Sequence, residues 1–91
     1  MATVFVTLKV MPKTTDVDLK VLEEKVKEKI KDFGGEVAGV EIQPVAFGLN
    51  ALLISFLMDE SKGSPDPLEE SVSELEDVAS ATVIDVRRTL G

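Results

Sequence analysis

The chain contains no cysteine, histidine, tyrosine or tryptophan, and its only aromatics are four phenylalanines among 91 residues. Without cysteine there is no disulfide, no thiolate zinc site and no thiol nucleophile. Without histidine the commonest general base and metal ligand is missing, so a His-based catalytic triad is impossible. Positive charge is scarce. Ten Lys and Arg face seventeen Asp and Glu, a formal net charge of −7, which argues against direct binding to nucleic acid or to an anionic membrane. Long apolar runs are missing as well. The longest, around Ala51 to Met58, falls far short of the ~20 residues of a membrane span, and the first residues carry neither a basic nor an apolar leader segment. What remains points to a small cytoplasmic protein that acts by binding rather than by covalent chemistry. The length accommodates one domain, residues 1–91. A single Asn, a single Gln and many Lys and Glu resemble the composition of a thermophile's protein.

What is present is strongly patterned. From Thr3 to Met11, Val4, Val6, Leu8 and Val10 alternate with Phe5, Thr7, Lys9 and Met11, the period of a half-buried strand, and Pro12 ends it. From Asp16 to Phe33 the residues Leu19, Leu22, Val26, Ile30 and Phe33 form one apolar stripe of a helix, with Thr15 or Asp16 able to cap its start. Gly34-Gly35 supplies a left-handed stop. Glu36 to Val45 reads as a second strand, with Gly39 marking a bulge or a close approach. A turn centred on Gly48 leads into a third strand, Ala51 to Met58, so these two form a hairpin. After a polar loop, Asp66-Pro67-Leu68-Glu69 fits an N-cap, N1 and the N3 acid of a capping box. The helix it opens, Asp66 to Ala79, has the stripe Leu68, Val72, Leu75 and Val78. A last strand runs from about Ala81 to Thr89.

The order β-α-β-β-α-β predicts an α+β fold, the ferredoxin-like βαββαβ sandwich. Right-handed crossovers put both helices on one face of a four-stranded antiparallel sheet ordered 4-1-3-2. Phe5, Thr7 and Lys9, together with Leu53, Ser55 and Leu57, then lie on the face without helices. That face is either an ordinary partly exposed surface or a site of association.

Few residues suggest chemistry. The second helix carries Asp66, Glu69, Glu70, Glu74, Glu76 and Asp77 and no basic residue, a pattern expected of a solvated face or of attraction to a basic partner surface. Asp59, Glu60 and Asp66 flank Gly63, but their spacing fails the EF-hand template, so no metal site is expected. Gly34-Gly35 follows a helix rather than opening one and is no phosphate loop. The paired carboxylates lack a pocket that would shift their pKa values. Three features stand out, one of them Met11-Pro12-Lys13-Thr14, a strand-to-helix connection that is equally read as a simple connector. Phe47 sits beside Gly48 at a hairpin tip, either folded back as a core plug or projecting as a wedge. Arg87 and Arg88, the only arginines, are adjacent on opposite faces of the last strand. They serve either as edge-protecting charges or as contacts to a phosphate or carboxylate.

The segment Pro44-Val45-Ala46-Phe47-Gly48-Leu49-Asn50-Ala51-Leu52 resembles the P-[IV]-A-F-G-L-x-x-L signature of translation elongation factor 1-beta. Leu75-Glu76-Asp77-Val78 is similar to that family's acidic F-E-D-Y-V stretch, and Met11-Pro12 after the first strand also matches. Length and element order resemble the archaeal form, which corresponds to the C-terminal exchange domain of the eukaryotic protein. The resemblance implies a guanine-nucleotide exchange factor, not an enzyme, for the GTPase elongation factor 1-alpha, which itself binds the GDP or GTP and Mg²⁺.

Residue by residue, the resemblance implies that Phe47 inserts against the GTPase and that Gly48 allows close approach, with Leu49 and Asn50 completing the contact. Asn50 stands where eukaryotic members often carry a basic residue. Those members also have a lysine just before the C-terminus that is implicated in displacing Mg²⁺. Here the tail is Arg87-Arg88-Thr89-Leu90-Gly91, with Thr89 at the lysine's position, so that step does not carry over directly; Arg87 or Arg88 is the candidate for it, each a planar fork rather than a compact point charge. Three other classes share the element order. An acylphosphatase-like hydrolase wants an Arg in the first loop, where Lys13 stands alone. An RNA-recognition-like sheet wants stacking aromatics, and only Phe5 qualifies. A small ligand-sensing or oligomerisation module leaves no distinguishing mark in the sequence.

Overall fold

A computed structural model describes residues 2–89. The alternation of the first segment makes β1, Thr3–Pro12, the most paired strand. Its even-numbered residues Val6, Leu8 and Val10 are fully buried, and its odd-numbered ones are half-exposed. The chain continues through α1 (Leu19–Phe33), β2 (Glu36–Pro44), β3 (Asn50–Asp59), α2 (Asp66–Ser73) and β4 (Val78–Thr89). Short 3₁₀ turns lie at Ala46–Gly48 and Glu60–Lys62. Neighbouring strands are antiparallel in the order β2-β3-β1-β4, as predicted. Gly39 falls at a break in the β2–β3 register, so it marks a bulge. None of the described helices is long and apolar enough to cross a membrane.

The two helices cover one face. Leu22, Val26 and Ile30 of α1 and Leu68 and Val72 of α2 are buried with Leu52, Ile54, Phe56 and Met58 of β3. Each fully buried side chain of this size contributes about 1.5–3 kcal/mol relative to exposure, so this layer dominates the stability. On the other face Thr7 Oγ1 and Ser55 Oγ lie 3.2 Å apart in a cross-strand hydrogen bond, between the half-buried pairs Phe5–Leu57 and Lys9–Leu53.

The helix ends correct the sequence reading. Neither Thr15 nor Asp16 caps α1. Thr14 Oγ1 accepts from the Asp16 N–H at 3.2 Å, and the Thr14 carbonyl accepts from the Val17 N–H. This spends residues 14–17 on a turn. The helix starts after Asp18, whose Oδ1 accepts from the Lys20 N–H at 2.9 Å and the Val21 N–H at 3.4 Å. Gly34 does stop α1, at φ 96°, a conformation open to glycine without steric cost.

The capping box at α2 does not form. Pro65 occupies the N-cap position without a side-chain bond, and Asp66 is already helical. The Glu69 carboxylate turns away and accepts from the Val83 N–H at 2.7 Å, beside the register break between β1 and β4, where a part-buried N–H needs an acceptor. α2 ends at Ser73, not Ala79, and β4 begins at Val78, not Ala81. Leu75 and Val78 are buried or half-buried as their apolarity demands. Val78 reaches the core as a strand residue opposite Pro12, so the apparent helical stripe merges two elements.

Candidate functional site

The hairpin tip is built by short-range constraints. Pro44 closes β2, since it has no N–H to continue the ladder. The Val45 N–H then reaches the Leu49 carbonyl at 2.7 Å, and the Leu49 N–H reaches that of Ala46 at 3.3 Å. To close so tightly, two consecutive residues take left-handed backbone: Phe47 at φ 62°, ψ 31° and Gly48 at φ 75°. Phe47 is the one non-glycine with positive φ among the described residues. An L-residue there costs about 1–2 kcal/mol. Its side chain is 95% exposed, so the core-plug alternative is excluded and no burial offsets the strain. Leu49 is half-buried and Asn50 exposed.

The loop between β1 and α1 lies beneath this tip. A side chain at Gly48 would come 3.8 Å from Thr15 Cγ2. Pro12, Thr14, Thr15, Val17, Leu19, Gly48 and Asn50 together line a hollow of about 90 Å³, too small for a substrate. The loop is anchored in turn by Asp77. Its carbonyl accepts from the Lys13 N–H at 3.0 Å, and its carboxylate pairs with Lys25 Nζ of α1 at 3.2 Å. Asp77, read in the sequence as part of a solvated acidic face, is therefore a clamp between three segments. Neither Thr15 nor Asp77 was marked as functional by pattern. Their role arises only when the α2–β4 junction and the first loop meet.

Arg87 and Arg88 lie elsewhere. They stand opposite Phe5 and Val4 at the start of β1, on opposite faces as expected. Asn50 lies beyond the Val10–Leu52 pair at the other end of β1. The separation is about 27 Å along the strands, at roughly 3.4 Å per residue. Phe47, Gly48, Leu49 and Asn50 thus form one cluster and the arginines another. Both arginines are exposed and paired: Arg87 Nε donates to Asp85 Oδ2 at 2.9 Å, and Arg88 binds Glu60. Backbone continuity tightens this end further, with the Glu60 N–H on the Ala2 carbonyl at 3.1 Å. Asp59 Oδ1 accepts from the Ser61 N–H at 2.8 Å. That backbone bond holds the Asp59 carboxyl below its ordinary value of 3.8, and the bond spends the carboxylate on its own turn. Thr89 is described by its backbone, and Leu90 and Gly91 lie outside the described residues.

The fold alone relates the chain to many proteins. It is similar to the ACT domain from GTP pyrophosphokinase of Chlorobium tepidum, with TM-score 0.61 and 9% identity over 88% of this chain and 96% of that one. It is also similar to the C-terminal domain of the MgtC protein from Mycobacterium tuberculosis, with TM-score 0.59 and 12% identity over 98% and 87%. Sequence similarity is narrower. The family described as EF-1 guanine nucleotide exchange domain matches residues 5–89. Elongation factor 1-beta of Methanococcus vannielii is 40% identical over 94% of this chain and 97% of its own. That of Methanothermobacter thermautotrophicus is 39% identical over 99% and 100%. That of Staphylothermus marinus is 42% identical over 97% and 98%. The chain belongs to the EF-1 guanine nucleotide exchange family, in its archaeal elongation factor 1-beta form, and its role is guanine nucleotide exchange on a GTPase.

Proposed function

We propose that this chain binds elongation factor 1-alpha and speeds release of its GDP, so that GTP rebinds during translation elongation. The observation that carries the reading is Phe47, fully presented to solvent in a strained left-handed conformation on a short, closed hairpin tip. Strain of this kind persists where surrounding structure over-determines it, and it concentrates at binding sites. A rigid aromatic anchor loses little entropy on docking.

Exchange needs no bond-making group, which suits a chain without His or Cys. By linkage, a factor that prefers the GTPase state with loosened nucleotide lowers nucleotide affinity by its own differential affinity. A thousandfold loosening needs about 4 kcal/mol. In this reading Phe47, Gly48, Leu49 and Asn50 form one contact. Arg87 and Arg88, about 27 Å away along the sheet, offer positive charge at a second. The GTPase then spans the length of the sheet. Each arginine first exchanges its present carboxylate, a small cost since exposed pairs contribute about 0–1 kcal/mol. Nucleotide and Mg²⁺ belong to the GTPase, and this chain takes no cofactor, nucleic acid or membrane of its own.

The test is stopped-flow release of fluorescent GDP from the matching elongation factor 1-alpha. Acceleration at substoichiometric amounts is expected. A release rate unaffected by the chain, with an active GTPase, would refute the reading.

A further inference from the structure

The apolar surface does not stop at the tip. On β2 the residues facing the helix layer are Val37, Val40 and Ile42, paired with the buried Phe56, Ile54 and Leu52 of β3. Those on the opposite face, Glu36, Glu41 and Gln43, are polar. The alternation is that of a strand covered on one side. Yet the cover fails toward the tip. Val37 is half-buried and packs against the core. Val40 is 37% exposed and Ile42 52%, and the strand then runs through Pro44 into the tip, where Phe47 is 95% exposed. Ile42 and its neighbour Leu52 share one row of the sheet, but Leu52 is fully buried. The helix layer therefore ends between β3 and the edge strand. An apolar row that the described residues cover only in part suits an external partner. Ile42 stands two residues before Pro44, where β2 enters the tip that carries Phe47, so a partner docked on Phe47 is the one within reach.

We infer that the helix-side edge of β2, centred on Ile42 with Val40, is part of the GTPase-binding surface. This extends the contact from the tip down the edge strand. The inference rests on the exchange reading above. Here the edge supplies affinity, while Phe47 acts on the nucleotide-loosened state. Removing the Ile42 contact therefore raises the concentration needed for exchange and spares the rate at saturation.

The experiment titrates wild type, Ile42→Thr, Val40→Thr and Ile84→Thr into GDP-loaded elongation factor 1-alpha and follows fluorescent GDP release. Thr keeps the β-branched shape and strand preference, and circular dichroism melts verify folding. Ile84 is equally exposed, at 51%, but lies on β4, the other edge. Ile42→Thr is expected to raise the half-maximal concentration about tenfold with an unchanged plateau, Val40→Thr about threefold, and Ile84→Thr less than twofold. An unchanged Ile42→Thr titration, with Phe47→Ala still defective, overturns this inference and leaves the exchange reading standing. No acceleration by wild type removes the reading itself and this inference with it. A wild-type dimer in sedimentation that Ile42→Thr dissolves, with unchanged exchange, assigns the edge to a second copy and also overturns it.

Discussion

The two ends of the sheet solve opposite problems. At the C-terminal end of β4, charges are paired. Arg88 meets Glu60, Arg87 meets Asp85, and Asp59 caps its own turn. Polar groups at that end find partners within the chain. At the hairpin end, an aromatic side chain stands in water on a backbone conformation that costs energy, and the strand leading to it keeps apolar residues uncovered. The first pattern is satisfied within the chain, so a partner enters it only by exchanging one carboxylate for another. The second is unfavourable for the isolated chain, and it is the pattern that the proposed contact with the GTPase accounts for. Exposure combined with strain therefore singles out a candidate contact, where charge content alone does not.

The largest effect should come from the tip. Phe47→Ala is expected to lower exchange about 100-fold, equivalent to about 2.7 kcal/mol of lost anchor energy. Its urea midpoint should not fall, because the ring touches no core. A drop in midpoint matching the loss of exchange would erase the contrast between the ends.

Next is a purely structural bond between them. Glu69→Ala removes the acceptor of the Val83 N–H and should cost about 1.5–2 kcal/mol in chemical denaturation, with exchange at saturation unchanged. A wild-type stability in this variant would show that water replaces the carboxylate.

Phe47→Gly sharpens the strain argument. Glycine accepts the left-handed conformation, so this variant should be more stable than wild type by about 0.5–1 kcal/mol while failing to exchange. A less stable protein by differential scanning calorimetry would mean that the loop conformation carries no strain.

At the paired end, Arg88→Ala breaks only an exposed pair and should shift stability by less than about 0.5 kcal/mol. Under the proposed two-ended contact it lowers exchange several-fold, and an unaltered rate would strike Arg88 from the mechanism.

The smallest effect is a pH dependence. The Asp59 carboxyl is held below its ordinary value by the Ser61 N–H, so the unfolded chain binds its proton first as pH falls. Its contribution is present above about pH 4 and disappears as pH drops through the lowered folded value. Acid titration of Asp59→Asn against wild type should show a shallower loss below about pH 4. Parallel curves would contradict it.

Much of this was legible in the residues. Period-2 alternation in β1 and the 3.6-residue stripe of α1 each specify a buried face locally, so strand order and layer followed from connection rules. The nine residues Pro44 to Leu52 carried the family. What pattern misjudged were junctions. Val78 continues the helical spacing of Leu68, Val72 and Leu75, yet pairing with Pro12 makes it a strand residue. Asp66 and Glu69 match a capping box, yet the Val83 N–H competes for the carboxylate. In both cases a partner distant in sequence outbid the local preference, which spans only about 1 kcal/mol.

By itself, then, the sequence determined the chemistry that is excluded, the two-layer fold and the exchange family, because composition, periodicity and a contiguous motif are local properties. The tertiary structure decided the rest. It turned Phe47 outward, set the arginines at the far end against carboxylates, and left Ile42 beyond the reach of the helices. Those outcomes depend on where a layer ends and which segments meet, and no window of neighbouring residues encodes that.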